Sequence, residues 1–127
     1  MDGKQTLMET LGMETLITEA NQVVVTMPVD ERTHQPFGFL HGGANVALAE
    51  SAASIGAFLN VDPEQFNVFG IDINANHIKS KRDGVVTATA EPAHRGKTTM
   101  VWEIRITDEH EQLICTSRCT IGVVPKR

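Results

Sequence analysis

The stretch "LHGGANVALAESAASIGAFLN", residues 40–60, decides the fold because it contains no proline and only one charged side chain, Glu50. Its many alanines favour a helix, which we expect to run from Gly42 to about Leu59 and to end before "NVDPEQ". Apolar residues lie nearly all the way around this helix, a pattern typical of a helix that is buried on most sides. The rest of the chain must then supply the layer that covers it.

Alternating apolar and polar residues on both sides of the helix predict an antiparallel sheet. Residues 4–11 carry a short amphipathic helical pattern with Thr6 as its cap, and residues 13–29 indicate two strands broken at residues 20–21. After the helix, the links "SKRDG", "HRGK" and "DEHEQ" are typical of hairpins between four further strands. We therefore predict an antiparallel meander packed on the helix, in one α+β domain that spans residues 1–127. The four further strands are residues 66–79, 85–94, 98–107 and 112–123.

Length and charge restrict the class of protein. A chain of 127 residues is typical of one domain, and its net charge of −5 argues against nucleic-acid binding, which needs a basic face. The N-terminal residues lack the pattern of a signal peptide, and no run approaches the roughly 20 apolar residues of a membrane span. We therefore expect a cytoplasmic protein that binds neither nucleic acid nor membrane.

The cysteines and histidines predict neither a disulfide nor a metal site. Cys115 and Cys119 lie four residues apart in a segment that alternates like a strand. At ~3.3 Å per residue they are about 13 Å apart, too far for a disulfide. No histidine forms an i, i+4 pair with an acid on a predicted helix, none has a cysteine partner at metal-binding spacing, and no glycine-rich nucleotide motif is present. We expect no metal and no cofactor.

Glu50 is an isolated acid in the middle of this apolar helix. The nearest basic residues along the chain are Arg32 and Lys79, and the residues one helical turn away are apolar or small. Burying an unpaired carboxylate costs several kcal/mol. Glu50 therefore either lies on a solvated face of the helix or acts on a ligand that approaches over its small neighbours.

The motif "HGG", residues 41–43, stands where the helix begins. Backbone N–H groups at a helix N-terminus have no partner within the helix and carry the positive end of its dipole. Glycine lets a ligand oxygen approach these donors without a Cβ in the way, as the binding of an oxyanion requires. The alternative is an ordinary junction between loop and helix in which His41 is only a cap.

The segments "QPFGFLHGGANVALAES", "GIDINANHIKS" and "HRGKTTMVWEIRITDEHEQLICTSR" together resemble the hotdog-fold acyl-CoA thioesterases. The similar branch includes the Arthrobacter-type 4-hydroxybenzoyl-CoA thioesterase and the dihydroxynaphthoyl-CoA and enterobactin-pathway proofreading thioesterases. The similarity extends from about Met27 to Gly122, and the spacing of Gln, HGG, Glu and Ser makes it specific. The resemblance implies a hotdog fold, in which one long antiparallel sheet wraps one central helix. It also implies hydrolysis of an acyl-CoA, with an aromatic or related acyl group, to the free acid and coenzyme A.

The resemblance also implies a role for each residue of the motif. Glu50 would be the catalytic carboxylate, either as nucleophile toward the thioester carbon or as general base for a water. The backbone N–H of Gly42 would polarise the thioester carbonyl. Gln35 and His41 would position the acyl and thioester groups, and Ser54 would lie beside the catalytic acid.

A coenzyme A site is implied at Lys79, His94, Lys97 and Thr98, although each of these is also typical of a solvated turn. Lys79 falls at one end of the predicted strand 85–94 and the other three fall at its opposite end. A single chain cannot bring the two groups together.

Helix geometry predicts that the protein works as a dimer. Gly42 and Glu50 are eight residues apart, which is about 12 Å along a helix axis. One thioester cannot reach both groups of the same chain, so the site must combine Gly42 of one chain with Glu50 of another. We expect a homodimer from this geometry, and a dimer of dimers, a homotetramer, is the further assembly that the sequence leaves open.

Two other functions compete with hydrolysis. A non-catalytic hotdog protein could bind acyl-CoA, although binding alone gives no use to an unpaired acid. A hotdog hydratase or dehydratase needs an Asp and a His that act together, whereas Asp72 and His77 lie on opposite faces of a regular strand.

Overall fold

The computed structural model describes residues 5–127, and residue 4 of the predicted N-terminal helix lies outside this range. Within it, a six-stranded antiparallel sheet curves around one long helix. The elements are α1 (Leu7–Thr10), β1 (Glu14–Glu19), β2 (Gln22–Pro28), α2 (Gly42–Phe58), β3 (Phe66–His77), β4 (Val85–Arg95), β5 (Thr99–Thr107) and β6 (Leu113–Pro125).

Both helices begin at the predicted caps. Thr6 and Glu9 form a reciprocal capping box at the start of α1. In α2, His41 is the N-cap, and its Nδ1 accepts a hydrogen bond of 2.7 Å from the N–H of Gly43. Leu59 is the C-cap, so α2 ends within one residue of its predicted end.

The prediction that α2 is buried on most sides is wrong for a single chain. One face of the helix packs on the sheet and is buried, and the opposite face, which carries Glu50, is only half-buried. Glu50 is therefore a partly accessible acid on a small-residue face, not a group enclosed in the core. The buried face consists of Ala44, Asn45, Leu48, Ala49, Ala52, Ala53, Gly56 and Ala57.

The predicted meander of four strands is wrong at its first link. The strand order is β1-β2-β4-β5-β6-β3, so β3 pairs with β6 at the far edge and not with β4. Residues 78–84 cross three strand spacings, about 14 Å, which seven extended residues span easily. A short polar link with Asp-Gly fits this crossover as well as it fits a hairpin. The other two links form the predicted hairpins, and all four strands agree with their predicted bounds within two residues.

The core lies between α2 and the inner face of the sheet. Trp102 of β5 is fully buried and packs against Gly56 of α2, where a Cβ would stand 2.4 Å from the indole. Cys115 and Cys119 of β6 are buried and carry free thiols. Burial, with Glu50 and Asp72 nearby, raises the pKa of Cys119 to about 12, so this thiol stays protonated. No helix in residues 5–127 is long and apolar enough to cross a membrane.

The outer edge of β3 is exposed and carries two large apolar side chains. β3 is twelve residues long and, among the described residues, pairs on one side only, with β6. Phe69 and Ile71 on this strand are 58% and 62% exposed. A long unpaired edge strand is a surface on which further strands pair, so natural proteins usually cover one.

Candidate active site

A cavity of about 480 Å³ lies at the N-terminus of α2. This cavity is lined by Gln35 from the loop before the helix, Gly42 from its first turn, His77 at the end of β3, and Lys79 just after that strand. The cavity exists because the loop folds back on itself: the N–H of Gln35 bonds to the carbonyl of Phe39 at 2.8 Å.

Two hydrogen-bond donors face no acceptor in this part of the molecule. Within residues 5–127, the N–H of Gly42 makes no hydrogen bond, whereas the N–H groups of Ala44 and Asn45 bond to the carbonyl of His41. Gln35 uses its Oε1 to accept from two backbone N–H groups of its own loop, at 2.6 and 3.2 Å. These bonds fix which end of the amide is the acceptor, so Nε2 remains as a donor. A pair of N–H donors at a helix N-terminus suits an oxygen that gains negative charge.

His77 lies directly against Gly42. A Cβ placed on Gly42 would stand 2.9 Å from Nε2 of His77, so only glycine fits here without moving the imidazole. His77 is not among the site residues predicted from the sequence. The signal was the alternation of Ile73, Ala75 and His77, which places all three on the face of β3 that packs toward α2.

Glu50 and Ser54 line a different cavity, of about 580 Å³, on the half-buried face of α2. Leu7 and Met8 of α1 form part of its wall. The carboxylate of Glu50 lies over Gly70 of β3, where a Cβ would be 2.4 Å from Oε2. Among the described residues Glu50 has no ion-pair partner. It is therefore a carboxylate whose charge no neighbour neutralises.

The structure keeps these two halves of the predicted site apart within one chain. Gly42 contacts His77 and Glu50 contacts Gly70. His77 and Gly70 are seven residues apart on β3, which is on the order of 20 Å of strand. Gly42 and Glu50 are also apart on the helix, where eight residues separate them by about 12 Å along the axis. Both distances are too long for one thioester to reach the two groups of the same chain.

His41 lies outside both cavities. Its ring caps α2 and lines a third cavity, of about 260 Å³, together with Arg32 and His34. The structure thus brings Gln35 together with Gly42, brings Glu50 together with Ser54, and gives His41 the position of a residue that orients the first turn of the helix.

The residues expected to bind coenzyme A fall into two groups. Lys79 lines the first cavity, hydrogen-bonds to Gln112 and lies 3.9 Å from Oδ2 of Asp108. His94 and the exposed Lys97 and Thr98 lie at the other end of β4, whose eleven residues span about 35 Å. Within residues 5–127, no three histidine, cysteine or acidic side chains stand close enough together to hold a metal ion.

Comparison with known proteins gives the family. Residues 37–115 match the family model of the thioesterase superfamily. The chain belongs to this superfamily. A 1,4-dihydroxy-2-naphthoyl-CoA hydrolase of Listeria monocytogenes is 58% identical over 121 residues, which are 95% of this chain and 98% of that protein. This chain is therefore a thioester hydrolase.

Solved thioesterase structures have the same architecture. The structure of a variant thioesterase from Pseudomonas aeruginosa is 43% identical, has a TM-score of 0.93 and matches 95% of this chain and 87% of its own. A variant thioesterase from Staphylococcus aureus is 48% identical, with a TM-score of 0.91 and coverage of 94% and 98%. The predicted hotdog fold is confirmed, and so is the predicted family.

Proposed function

We propose that this thioesterase hydrolyses an aromatic acyl-CoA at a site that two copies of the chain build together. The observation that carries the proposal is the division of one set of complementary groups between two cavities. One cavity holds the N–H of Gly42 and the amide of Gln35, and the other holds the carboxylate of Glu50. The N–H donors of Gly42 and Gln35 stabilise the oxygen of the thioester carbonyl. The carboxylate of Glu50 attacks the carbon of that carbonyl or activates a water.

The edge strand supplies a way to join the two halves. If β3 pairs antiparallel with β3 of a second copy about a twofold axis, the start of each strand lies beside the end of the other. With the axis at Asn74, and with the extra residue of the bulge between Gly70 and Asp72 left unpaired, Gly70 lies opposite the partner's His77. Glu50, which rests on Gly70, then approaches the Gly42 that rests on the partner's His77. The same pairing covers the exposed Phe69.

Hydrolysis then follows from the two sets of groups. The thioester oxygen accepts hydrogen bonds from the Gly42 N–H and Gln35 Nε2, which stabilise the negative charge that forms on attack. Glu50 of the partner either attacks the carbonyl carbon or takes a proton from the attacking water, with Ser54 beside it. The C–S bond breaks, and the thiolate of coenzyme A leaves and takes up a proton. In the general-base route the water oxygen stays on the acyl carbon, and the acyl group is released as the acid. In the nucleophile route the acyl group is first held on Glu50 as an anhydride, and a water then breaks that bond to give the acid and the free carboxylate.

The acyl group is proposed to be aromatic, with 1,4-dihydroxy-2-naphthoyl-CoA as the first candidate substrate. The similarity to the Listeria hydrolase supports this, because the match extends over nearly the whole of both chains. The exposed Lys79 at the first cavity suits the coenzyme A end of the substrate. In a dimer of dimers, the nucleotide of a coenzyme A bound at a neighbouring subunit would contact His94, Lys97 and Thr98.

The test is release of free thiol from a panel of benzoyl-, phenylacetyl-, naphthoyl- and fatty acyl-CoAs, followed with a thiol-trapping dye. We expect the highest kcat/KM for a naphthoyl or benzoyl compound. Glu50→Gln removes the proposed nucleophile or base and should lower kcat by at least about 10²-fold while the thermal melt stays cooperative. Near wild-type kcat in this variant, or a preference for fatty acyl groups, would refute the proposal.

A further inference from the structure

Asn45 is a buried amide in the first cavity that the roles above leave unused. It lies one helical turn after His41, lines the same cavity as Gln35 and Gly42, and is only 3% exposed. Within residues 5–127, its Oδ1 is buried and accepts no hydrogen bond. Asn60, at the other end of α2, differs: its Nδ2 donates to the carbonyls of Ala20 and Gly56 at 2.9 and 2.8 Å.

An unpaired amide at this position opposes folding. A buried polar group without a partner costs about 1–3 kcal/mol, and native interiors hold few of them. Leucine has nearly the shape of asparagine and would fill the same space next to Leu48 and Ala49 without this cost. The amide oxygen therefore needs a hydrogen-bond partner, and a molecule that enters the cavity can supply one.

We propose that Asn45 selects the acyl group by hydrogen-bonding a hydroxyl on the ring carbon next to the thioester-bearing carbon. This inference rests on the proposed function. A hydroxyl both donates and accepts, so it pairs with either end of the amide, whichever way the amide is turned. A carboxylate is excluded because its charge would be buried at a site whose cation, Lys79, is at the exposed side of the cavity.

The position on the ring follows from helix geometry. Asn45 is three residues after Gly42, about 4.5 Å along the axis, and its Cα–Cβ bond tilts back toward the helix N-terminus. The amide is therefore close to the level at which the Gly42 N–H would hold the thioester oxygen. Of the ring substituents, only one adjacent to the thioester-bearing carbon is that close to the carbonyl.

The test compares kcat/KM for two matched pairs of substrates, 2-hydroxybenzoyl-CoA with benzoyl-CoA and 1-hydroxy-2-naphthoyl-CoA with 2-naphthoyl-CoA. We expect the wild type to prefer the hydroxylated member by about tenfold or more, the effect of one hydrogen bond in a buried site. In Asn45→Leu this ratio should fall to near one. A wild type without the preference, a preference for 4-hydroxybenzoyl-CoA over the 2-hydroxy compound, or an unchanged ratio in Asn45→Leu would overturn the inference.

Stability measurements separate this role from a structural one. Asn45→Leu should melt at or above the wild-type temperature, because an unpaired amide is removed. The control Asn60→Leu, which loses two hydrogen bonds, should melt lower and keep the wild-type substrate ratio. A lower melting temperature for Asn45→Leu with an unchanged ratio would make Asn45 structural, and Asn45→Ala serves for the ratio if the leucine variant does not fold.

The proposed function and this inference fail in different ways. If the wild type hydrolyses no aromatic acyl-CoA, both are refuted. If it hydrolyses all four compounds but Asn45 variants keep the wild-type preference, the proposed function stands and the inference alone is refuted.

Discussion

The carboxylate of Glu50 rests on the bare backbone of Gly70, with Oε2 only 2.4 Å from the place where a Cβ would be. The sheet register shifts between Gly70 and Asp72, so β3 bulges directly after this contact. The Glu50 carboxylate can lie this close to β3 only because Gly70 has no side chain. Gly70 therefore sets the direction in which Glu50 points.

Gly70→Ala should lower kcat without unfolding the protein. The added methyl group pushes the carboxylate away from its position, and a displacement of about 1 Å at a reacting group can cost on the order of 10²-fold in rate. The backbone tolerates alanine, since Gly70 does not have a positive φ angle. Steady-state kinetics and a thermal melt measure the two effects. Asn76→Ala, an exposed position on the same strand, is the control, and an unchanged kcat in Gly70→Ala would mean that the contact does not position Glu50.

Gly56→Ala should destabilise the fold through Trp102. A Cβ on Gly56 would be 2.4 Å from the buried indole, so helix and strand must separate. Overpacking of this kind costs about 1–3 kcal/mol and should exceed the gain of up to ~1 kcal/mol from better helix propensity. Urea denaturation of the single variants and of the double variant with Trp102→Phe measures the coupling. If Gly56→Ala lowers the free energy of unfolding by the same amount with Trp102 and with Phe at that position, the clash with the indole is not the cause of the destabilisation.

The pH dependence of stability should include a contribution from Glu109. A hydrogen bond with Lys81, whose Nζ lies 2.6 Å from Oε1, and the N–H of Val85 lower the pKa of Glu109 from 4.5 to about 2. The ionised carboxylate thus stabilises the folded state fully above about pH 4.5, and this benefit is lost as the pH falls toward 2.

Thermal melts of Glu109→Gln between pH 7 and pH 2 measure this contribution. The variant should melt below the wild type at pH 7, and the difference should shrink between about pH 4.5 and 2. Glu111→Gln, an exposed position on the same turn, is the control variant. A difference that is constant with pH would contradict the assignment.

The sequence was sufficient to predict elements whose signals are local. The bounds of α2 follow from its alanines and from the "HGG" cap, and the hairpins β4–β5 and β5–β6 follow from alternation and short links. The order of the strands was not predictable in the same way, because residues 78–84 are long enough either to turn or to cross three strands. Which strand pairs with β3 depends on contacts far apart in the chain.

The residues of the site also differ in whether a local signal in the sequence identifies them. Gln35, Gly42 and Glu50 stand out in sequence because their residue types are unusual for their positions. Gly70 and His77 do not stand out in sequence, because each acts only through the residue of α2 that it contacts in the folded chain. The half-exposed face of α2 was also missed, because apolar residues predict burial without saying whether the same chain or a partner covers them.

The proposed shared site makes the most decisive prediction. The cavity with Gln35 and Gly42 and the cavity with Glu50 and Ser54 are separate in one chain. The proposed antiparallel pairing of two β3 strands would place the Gln35–Gly42 cavity of each chain next to the Glu50–Ser54 cavity of its partner. A lesion in Gln35 and a lesion in Glu50 should therefore complement each other when they are carried by different chains.

Gln35→Ala and Glu50→Ala, each nearly inactive, should recover activity when they are unfolded, mixed equally and refolded together. Half of the dimers are then mixed, and each has one site with both lesions and one site with none, so about a quarter of wild-type activity returns. Each variant refolded alone is the control for activity that refolding itself restores. If every site were built within one chain, each site in the mixture would carry a lesion and the mixture would stay inactive. That result would remove the shared site and leave the thioesterase family assignment intact.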